Sequence, residues 1–286
     1  MEIKEWIVDA HEIEIFFDKV LGRGTYCIVY EGRWRSIQVA IKYFNPDFQP
    51  QYKIHLQKEL EILIKMHHPN IIQLLGVCFE PFMILIEYMK YGNLHDMMVR
   101  YRNWPHCLLR AQKMSWCKDL TLSLIYLHNR RPEFIIHRDL KPSNILIGRD
   151  KILKLSDFGI SKIVEKTCKS FGDLSQIRYT HNIGTYYYMS PEIIDHNETI
   201  YDYKVDIWSL GLIFYEIWEN TRWMHHHFDS VDEYRKFICE NDIRLHFQKT
   251  PKKMIMVIRK CLQKNPNDRP TAQEIFRWID KNILFF

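Results

Sequence analysis

No Cys-x-x-Cys pair occurs anywhere in the sequence. The seven cysteines, at 27, 78, 107, 117, 168, 239 and 261, are odd in number and far apart. That spacing excludes a zinc ribbon or thioredoxin-like motif and reads as buried thiols in a reducing compartment. Glycine and proline are scarce, 10 and 11 among 286 residues, while 47% are hydrophobic and 26% charged. This balance excludes collagen-like, linker-rich and disordered chains and fits one large domain or two lobes sharing a core function. Blocks of like charge are missing too: Lys+Arg 40 against Asp+Glu 35 leaves +5. The densest basic spots are pairs, Arg130-Arg131 and Lys252-Lys253, so no nucleic-acid partner is expected. The longest apolar stretches, around Phe82–Ile86 and Leu210–Tyr215, fall far short of the ~20 residues of a membrane span. Met1–Trp6 has neither the basic and apolar regions of a secretory leader nor a glycine at position 2. A soluble, cytoplasmic chain is the expectation.

What is present changes character along the chain. Residues 1–14 form a mixed, acidic lead-in, expected to be an N-terminal extension. Ile15 to Tyr88 reads as short strands rich in Val, Ile, Tyr and Phe. One helix interrupts them at Ile54–Met66, where Leu56, Leu60, Leu63 and Ile64 share an apolar face. After a hinge near Glu87–Gly92 the pattern turns helical, at Leu108–Asn129 and Val205–Trp218, around a strand-and-turn island at Ile135–Ser161. The expected architecture is a β-rich N-terminal lobe and a larger helical C-terminal lobe, with ligand bound where the lobes meet.

Four segments carry candidate chemistry. Leu21-Gly22-Arg23-Gly24-Thr25-Tyr26-Cys27 lies between two strand patterns; glycines let a backbone approach phosphate closely, and also serve plain turns. It is not a Walker A loop, since no Gly-Lys-Ser/Thr follows. In Val39-Ala40-Ile41-Lys42 the lysine alternates into apolar neighbours, where an ammonium needs an anionic partner; Glu59 on the helix can supply it. In Ile136-His137-Arg138-Asp139-Leu140-Lys141-Pro142-Ser143-Asn144 a carboxylate, a lysine and an amide fall within six residues between apolar brackets, a rigid setting for a base and a metal ligand. Leu155-Ser156-Asp157-Phe158-Gly159 adds a second acid at a strand end. Asp157 and Asn144 are hard oxygen donors of the kind Mg²⁺ prefers.

In their order and strand or loop context these segments resemble the eukaryotic protein kinases, over residues 15–282. The resemblance implies an α+β, bilobal protein-kinase fold: N-lobe 15–88 with one main helix, hinge 87–92, mostly helical C-lobe 93–282, and a tail at 283–286. It implies that Gly22 and Gly24 cover the ATP phosphates, with Leu21, Val29 and Ala40 in the same nucleotide site. Lys42 contacts the α- and β-phosphates and pairs with Glu59. Ile86 limits the back of the adenine pocket, and hinge residues Glu87, Tyr88 and Met89 follow it. Asp139 is the expected base, Lys141 neutralises the transferred group, and Asn144 and Asp157 hold Mg²⁺, with Mn²⁺ as an alternative ion. Lys141 and Thr185 follow the Ser/Thr pattern, so Ser/Thr hydroxyls of proteins are the implied acceptors, with dual specificity as the alternative, and Thr185 joins Asp139, Lys141 and Lys42 in the catalytic set. Ser190-Pro191-Glu192 matches an Ala-Pro-Glu motif, Glu192 is expected to pair with Arg269, and Asp206 to brace the catalytic loop. The Tyr126-Leu127-His128 lead-in and the segment Tyr179 to Glu192 most resemble the tyrosine-kinase-like group.

Arg138 beside the base implies a phosphorylated activation loop, with candidate sites Thr167, Ser170, Ser175, Tyr179 and Thr180. Cys27 departs from the family by replacing a third loop glycine. It is read as a tolerated small residue, with a redox-sensitive thiol as the competing reading. His225-His226-His227, near Asp229, is expected to be an exposed loop rather than a metal site. Tyr186-Tyr187-Tyr188 is expected to pack rather than stack on bases. The rival function is a pseudokinase scaffold, which typically loses the equivalents of Lys42, Asp139 or Asp157; all three are intact.

Overall fold

The computed structural model describes residues 3–24, 27–44, 59–101, 108–165, 186–195, 202–224, 228, 230–241 and 243–280. Two compact units emerge, Met1–Gly92 with Leu146–Gly159, and Asn93–Ile145 with Ile160–Phe286.

The first unit is built on an antiparallel sheet of β1 (Ile13–Arg23), β2 (Cys27–Trp34), β3 (Ile37–Phe44), β4 (Leu74–Phe79) and β5 (Phe82–Glu87), in the order β1-β2-β3-β5-β4. Val39, Ile41, Met83 and Leu85 from the central strands, with Cys78, form the buried cluster on one face. The β2–β3 hairpin turns on Arg35 and Ser36, both at positive φ (46° and 67°), the backbone that matches the right-handed twist of its strands. Glu12 holds that turn, accepting from Arg35 Nη2 at 2.9 Å and from Trp34 Nε1 at 3.1 Å.

The acidic lead-in belongs to this core. Val8 sits in the same buried cluster, its N–H donates to Val77 O at 2.9 Å, and Ile7 bridges Val77 in parallel. Helix α1 occupies residues 59–64 and buries Leu60, Leu63 and Ile64; the expected first turns at 54–58 lie outside the described residues. It ends before Met66, because Lys65 and Met66 donate to Ile62 and Leu63, three residues back, and tighten the last turn. Strand β8 (Leu153–Leu155), paired with β7 (Ile145–Ile147), joins this unit through Ile72 N–H to Leu155 O at 2.9 Å and Leu155 N–H to Asn70 O at 2.9 Å.

In the second unit lie α2 (Leu94–Tyr101), α3 (Arg110–Asn129), α4 (Pro191–Ile194), α5 (Lys204–Glu219), α6 (Val231–Glu240), α7 (Lys252–Cys261) and α8 (Ala272–Asp280). A two-stranded ribbon pairs β6 (Glu133–Ile136) with β9 (Lys162–Glu165). Every residue of α5 is buried, and its acidic side chains Asp206, Glu216 and Glu219 all accept hydrogen bonds. A Cβ on Gly211 would lie 2.7 Å from Cys261 Cβ, so this glycine lets α7 close onto α5. Helix α3 starts at Arg110, because Leu109 is extended at the cap position. Helix α6 is capped by Ser230 Oγ, which accepts from Glu233 N–H at 3.1 Å.

Candidate active site

In the first unit the chemistry gathers around Lys42. Strand β3 lies between β2 and β5, and Lys42 stands opposite Val29 and Ile84. Its Nζ donates to Glu59 Oε1 of α1 at 2.5 Å. Burial pushes the Lys42 ammonium down, but the charges of Glu59, Asp157 and Cys27 outweigh it and hold the group above its usual value. Lys42 is therefore a fixed cation, bonded to Glu59 and within the field of Asp157. Asp157 follows β8 with φ 64°, a left-handed backbone that a non-glycine residue keeps only when its surroundings enforce it.

The glycine segment closes by Gly24 N–H to Cys27 O at 2.8 Å, while Gly22 faces Val29 across the strand pair. A Cβ on Gly24 would meet Cys27 Sγ at 3.3 Å, whereas one on Gly22 would meet nothing within 4 Å. A side chain on Gly24 would press on the Cys27 thiol, and Gly22 borders open space. Thr25 and Tyr26 lie outside the described residues. Burial pushes the Cys27 thiol up to about 11, with the Lys42 charge pulling the other way, so the thiol stays protonated near neutrality and the redox-sensor reading loses its thiolate.

Ala40 and Ile86 are buried opposite one another, Met89 is buried, and Leu21 is exposed. The Glu87 carboxylate accepts from Lys154 Nζ at 2.6 Å and Gln73 N–H at 2.8 Å. Gly92, at φ 70°, turns the chain after Met89 by donating to its carbonyl at 3.2 Å.

The second unit holds Asp139, Lys141 and Asn144 on one short loop after β6. Lys141 Nζ lies 2.9 Å from Asp139 Oδ2. Asn144 Nδ2 donates to Asp139 Oδ2 at 2.8 Å and to Asp139 O at 2.9 Å. Both bonds use the amide nitrogen, which fixes the amide with Oδ1 on its opposite side, the donor a hard cation takes. A 3-10 turn at Pro142–Asn144 sets this spacing.

The loop is anchored from below by Asp206 of α5. Its Oδ2 accepts from His137 N–H and its Oδ1 from Arg138 N–H, each at 2.9 Å. Burial pushes the Asp206 carboxyl up; the hydrogen bond and charge of His128, then His137 and the Arg138 amide, reverse this and hold it below its usual value. Arg138, at φ 67°, donates from Nε to Ile160 O at 2.6 Å. Lower in the unit, Arg269 Nη1 and Nη2 meet Glu192 Oε1 and Oε2 at 2.6 and 2.8 Å. Tyr186, Tyr187, Tyr234 and Phe228 form one aromatic cluster, and Tyr188 Oη donates to Glu216 Oε2 at 3.0 Å, so the tyrosine run packs.

The structure thus gathers Lys42, Glu59 and Asp157 in one unit and Asp139, Lys141 and Asn144 in the other. Thr185, the five candidate phosphorylation sites, His225–His227 and Asp229 lie outside the described residues. Among the described residues no cluster of three or more His, Cys, Asp or Glu side chains could hold a metal. Sequence reasoning missed the Lys154–Glu87 pair and the contact of His128 with Asp206; His128 stood out only as part of the Tyr126-Leu127-His128 lead-in.

A buried lysine–glutamate pair in a five-stranded unit, and an acid–lysine–amide loop braced from a buried helix in a second, describe a bilobal α+β phosphotransferase scaffold. The chain belongs to the protein kinase domain family, which matches residues 16–278. It is 30% identical over 284 residues to Mitogen-activated protein kinase kinase kinase 7 of Homo sapiens, covering 98% of this chain and 43% of that protein. Serine/threonine-protein kinase VIK of Arabidopsis thaliana is 30% identical over 285 residues, covering 97% and 62%. Dual specificity protein kinase shkA of Dictyostelium discoideum is 32% identical over 281 residues, covering 96% and 51%. The chain spans about half the length of these relatives.

Proposed function

We propose that this chain is an ATP-dependent protein kinase that transfers the γ-phosphoryl group to Ser/Thr hydroxyls of proteins. The observation that carries the reading is the 2.5 Å contact of Lys42 Nζ with Glu59 Oε1. A buried cation held in place by one carboxylate is poised to bind phosphate oxygens without reorganising. The kinase domain runs over 15–282, with lobes at 15–88 and 93–282 about the hinge 87–92.

Gly22 and Gly24 let the loop backbone lie close to the phosphates, and Leu21, Val29, Ala40, Ile86 and Met89 line the base, with hinge backbone from Glu87 onward at the adenine edge. Asp139 takes the proton of the substrate hydroxyl as that oxygen bonds to the γ-phosphorus. The bond to the β-phosphate oxygen then breaks and ADP leaves. Lys141 offsets the charge on the transferred group, and Thr185 helps set the Ser/Thr preference. By motif position Asn144 and Asp157 hold a divalent cation, which we take to be Mg²⁺, and it supplies charge neutralisation across the phosphates.

Activation by phosphorylation in the Asp157–Glu192 segment, read by Arg138, completes the proposal. A cytoplasmic location fits the unpaired thiols of Cys27, Cys78, Cys117, Cys239 and Cys261. Among the described residues no helix is long and apolar enough to cross a membrane.

The test is purified protein with Mg²⁺, γ-labelled ATP and a mixed Ser/Thr/Tyr protein acceptor, beside Lys42→Met. Phosphoserine or phosphothreonine that depends on Lys42 supports the reading. Phosphotyrosine alone, or label unaffected by Lys42→Met, overturns it.

A further inference from the structure

The net charge of +5 is not spread evenly along the chain. Between Asp242 and Asp268 there are seven Lys and Arg residues and no Asp or Glu. Seven exceeds the whole excess of five, so the rest of the chain is acidic on balance. No contiguous basic block results, because apolar residues are interleaved with the charges.

Helix α7 sorts the two kinds. Its buried side is Met254, Val257, Ile258 and Cys261, seated on α5 where Gly211 admits Cys261. At 3.6 residues per turn, Lys252, Lys253, Met256, Arg259 and Lys260 share about a third of the circumference on the other side. All five are exposed. Met256 lies at the centre of that arc and is 69% exposed. Arg259 is held over the Phe247 ring at 5.7 Å, which fixes one corner of the face. Lys264 lies past the helix, near Cys239 together with Asp195 and Glu240, and does not belong to the face.

Folding does not call for this arrangement. The N-terminal end of a helix favours acidic side chains in its first turn. Helix α7 opens instead with Lys252 and Lys253, has no acid in that turn and no side-chain cap. A local rule broken without a structural return points to function.

We propose that the exposed face of α7 docks this protein on an anionic lipid bilayer. Lys252, Lys253, Arg259 and Lys260 meet the headgroups, and Met256 enters the interface between them. Each basic side chain beside an anionic leaflet adds about fivefold to membrane affinity, so four give a peripheral attachment that salt weakens. Met256 favours a bilayer over other polyanions: its side chain gains by leaving water for the acyl boundary and finds no such partner on a phosphate backbone. Single-stranded nucleic acid would need aromatic side chains on the face for its bases to stack on. Phe247 is already covered by Arg259 and meets Tyr215 edge-on at 5.5 Å. The attachment fits the cytoplasmic location proposed above and does not depend on the transfer reaction.

The test is co-sedimentation of the full chain with vesicles of phosphatidylcholine alone and of phosphatidylcholine with one-third phosphatidylserine, at low and high salt. The expected result is binding at least about tenfold tighter to the anionic vesicles, and lost at high salt. The double variant Lys252→Glu, Lys253→Glu lowers it at least about tenfold, and Met256→Ser about threefold. The double variant places acids in the first turn, so its thermal midpoint is expected to be no lower than that of wild type. Should it not fold, Lys260→Glu, in the last turn, supplies the readout with a loss of at least about fivefold.

Equal binding to both kinds of vesicle overturns the proposal, as does anionic binding undiminished in the charge variants or in Met256→Ser. Duplex RNA that binds more tightly than the vesicles, with Met256→Ser unaffected, overturns it too and assigns the face to nucleic acid.

Discussion

Val8 and Gly76 meet so closely that a Cβ on the glycine would lie 2.2 Å from Val8 Cγ2. The lead-in segment and β4 are thus shaped for each other, and the glycine serves close approach rather than a turn. Replacing Gly76 by Ala forces this contact apart, an overpacking cost of about 1–3 kcal/mol. Urea unfolding is expected to show that loss in Gly76→Ala and partial recovery in the Val8→Ala, Gly76→Ala double variant. Additive losses would show that the two positions do not touch.

Arg269 depends on its full fork. Besides both Glu192 oxygens, it donates to Gln263 O at 2.7 Å, Lys264 O at 3.0 Å and Lys204 O at 3.1 Å, and none of its side chain is exposed. A lysine keeps the charge but cannot reproduce this geometry. Arg269→Lys is expected to lose about 3–5 kcal/mol, the range for a broken buried pair, read by chemical denaturation. A loss under about 1 kcal/mol would show that charge alone suffices.

Cys27 is expected to be a slow thiol. Raised from an ordinary 9.0 to about 11, it carries about a hundredfold less thiolate near neutral pH than a free cysteine. Iodoacetamide labelling followed by peptide mass spectrometry should find it modified about a hundredfold more slowly than a short cysteine peptide at pH 7.5. A rate near that of the peptide would contradict the burial argument.

The Asp206 carboxyl sits below its ordinary 3.8. A depressed acid contributes stability that is fully present above its unfolded value and lost as pH falls through its folded value. The unfolding free energy of wild type should therefore exceed that of Asp206→Asn at pH 7, and the difference should shrink below about pH 4. A gap that stays constant down to pH 2 would place the stabilisation elsewhere.

The site was largely legible before the structure because its residues sit within short motifs. Asp139, Lys141 and Asn144 are close in sequence, and the 3-10 turn at Pro142–Asn144 brings them together with little help from distant parts of the chain. Lys42 and Glu59 needed one long-range pairing, which an apolar strand around a lysine already demanded. Val8 left no such trace: one apolar residue in an acidic segment has no period, and its partners at Gly76 and Val77 lie on another strand. His128 was hidden for a similar reason, since a histidine at a helix end reads as local until Asp206 is seen beside it. The Arg35-Ser36 turn lacks the Asn-Gly signal of its backbone type and is held instead by Glu12 from the lead-in.

The most direct measurement compares wild type with Asp139→Asn for two quantities, ATP binding and label transfer from γ-labelled ATP to a protein acceptor. The substitution keeps the shape of the side chain and removes the base. The account predicts ATP affinity within a fewfold of wild type and transfer reduced by at least about a hundredfold, the contribution of a positioned base. Transfer undiminished in Asp139→Asn would contradict it.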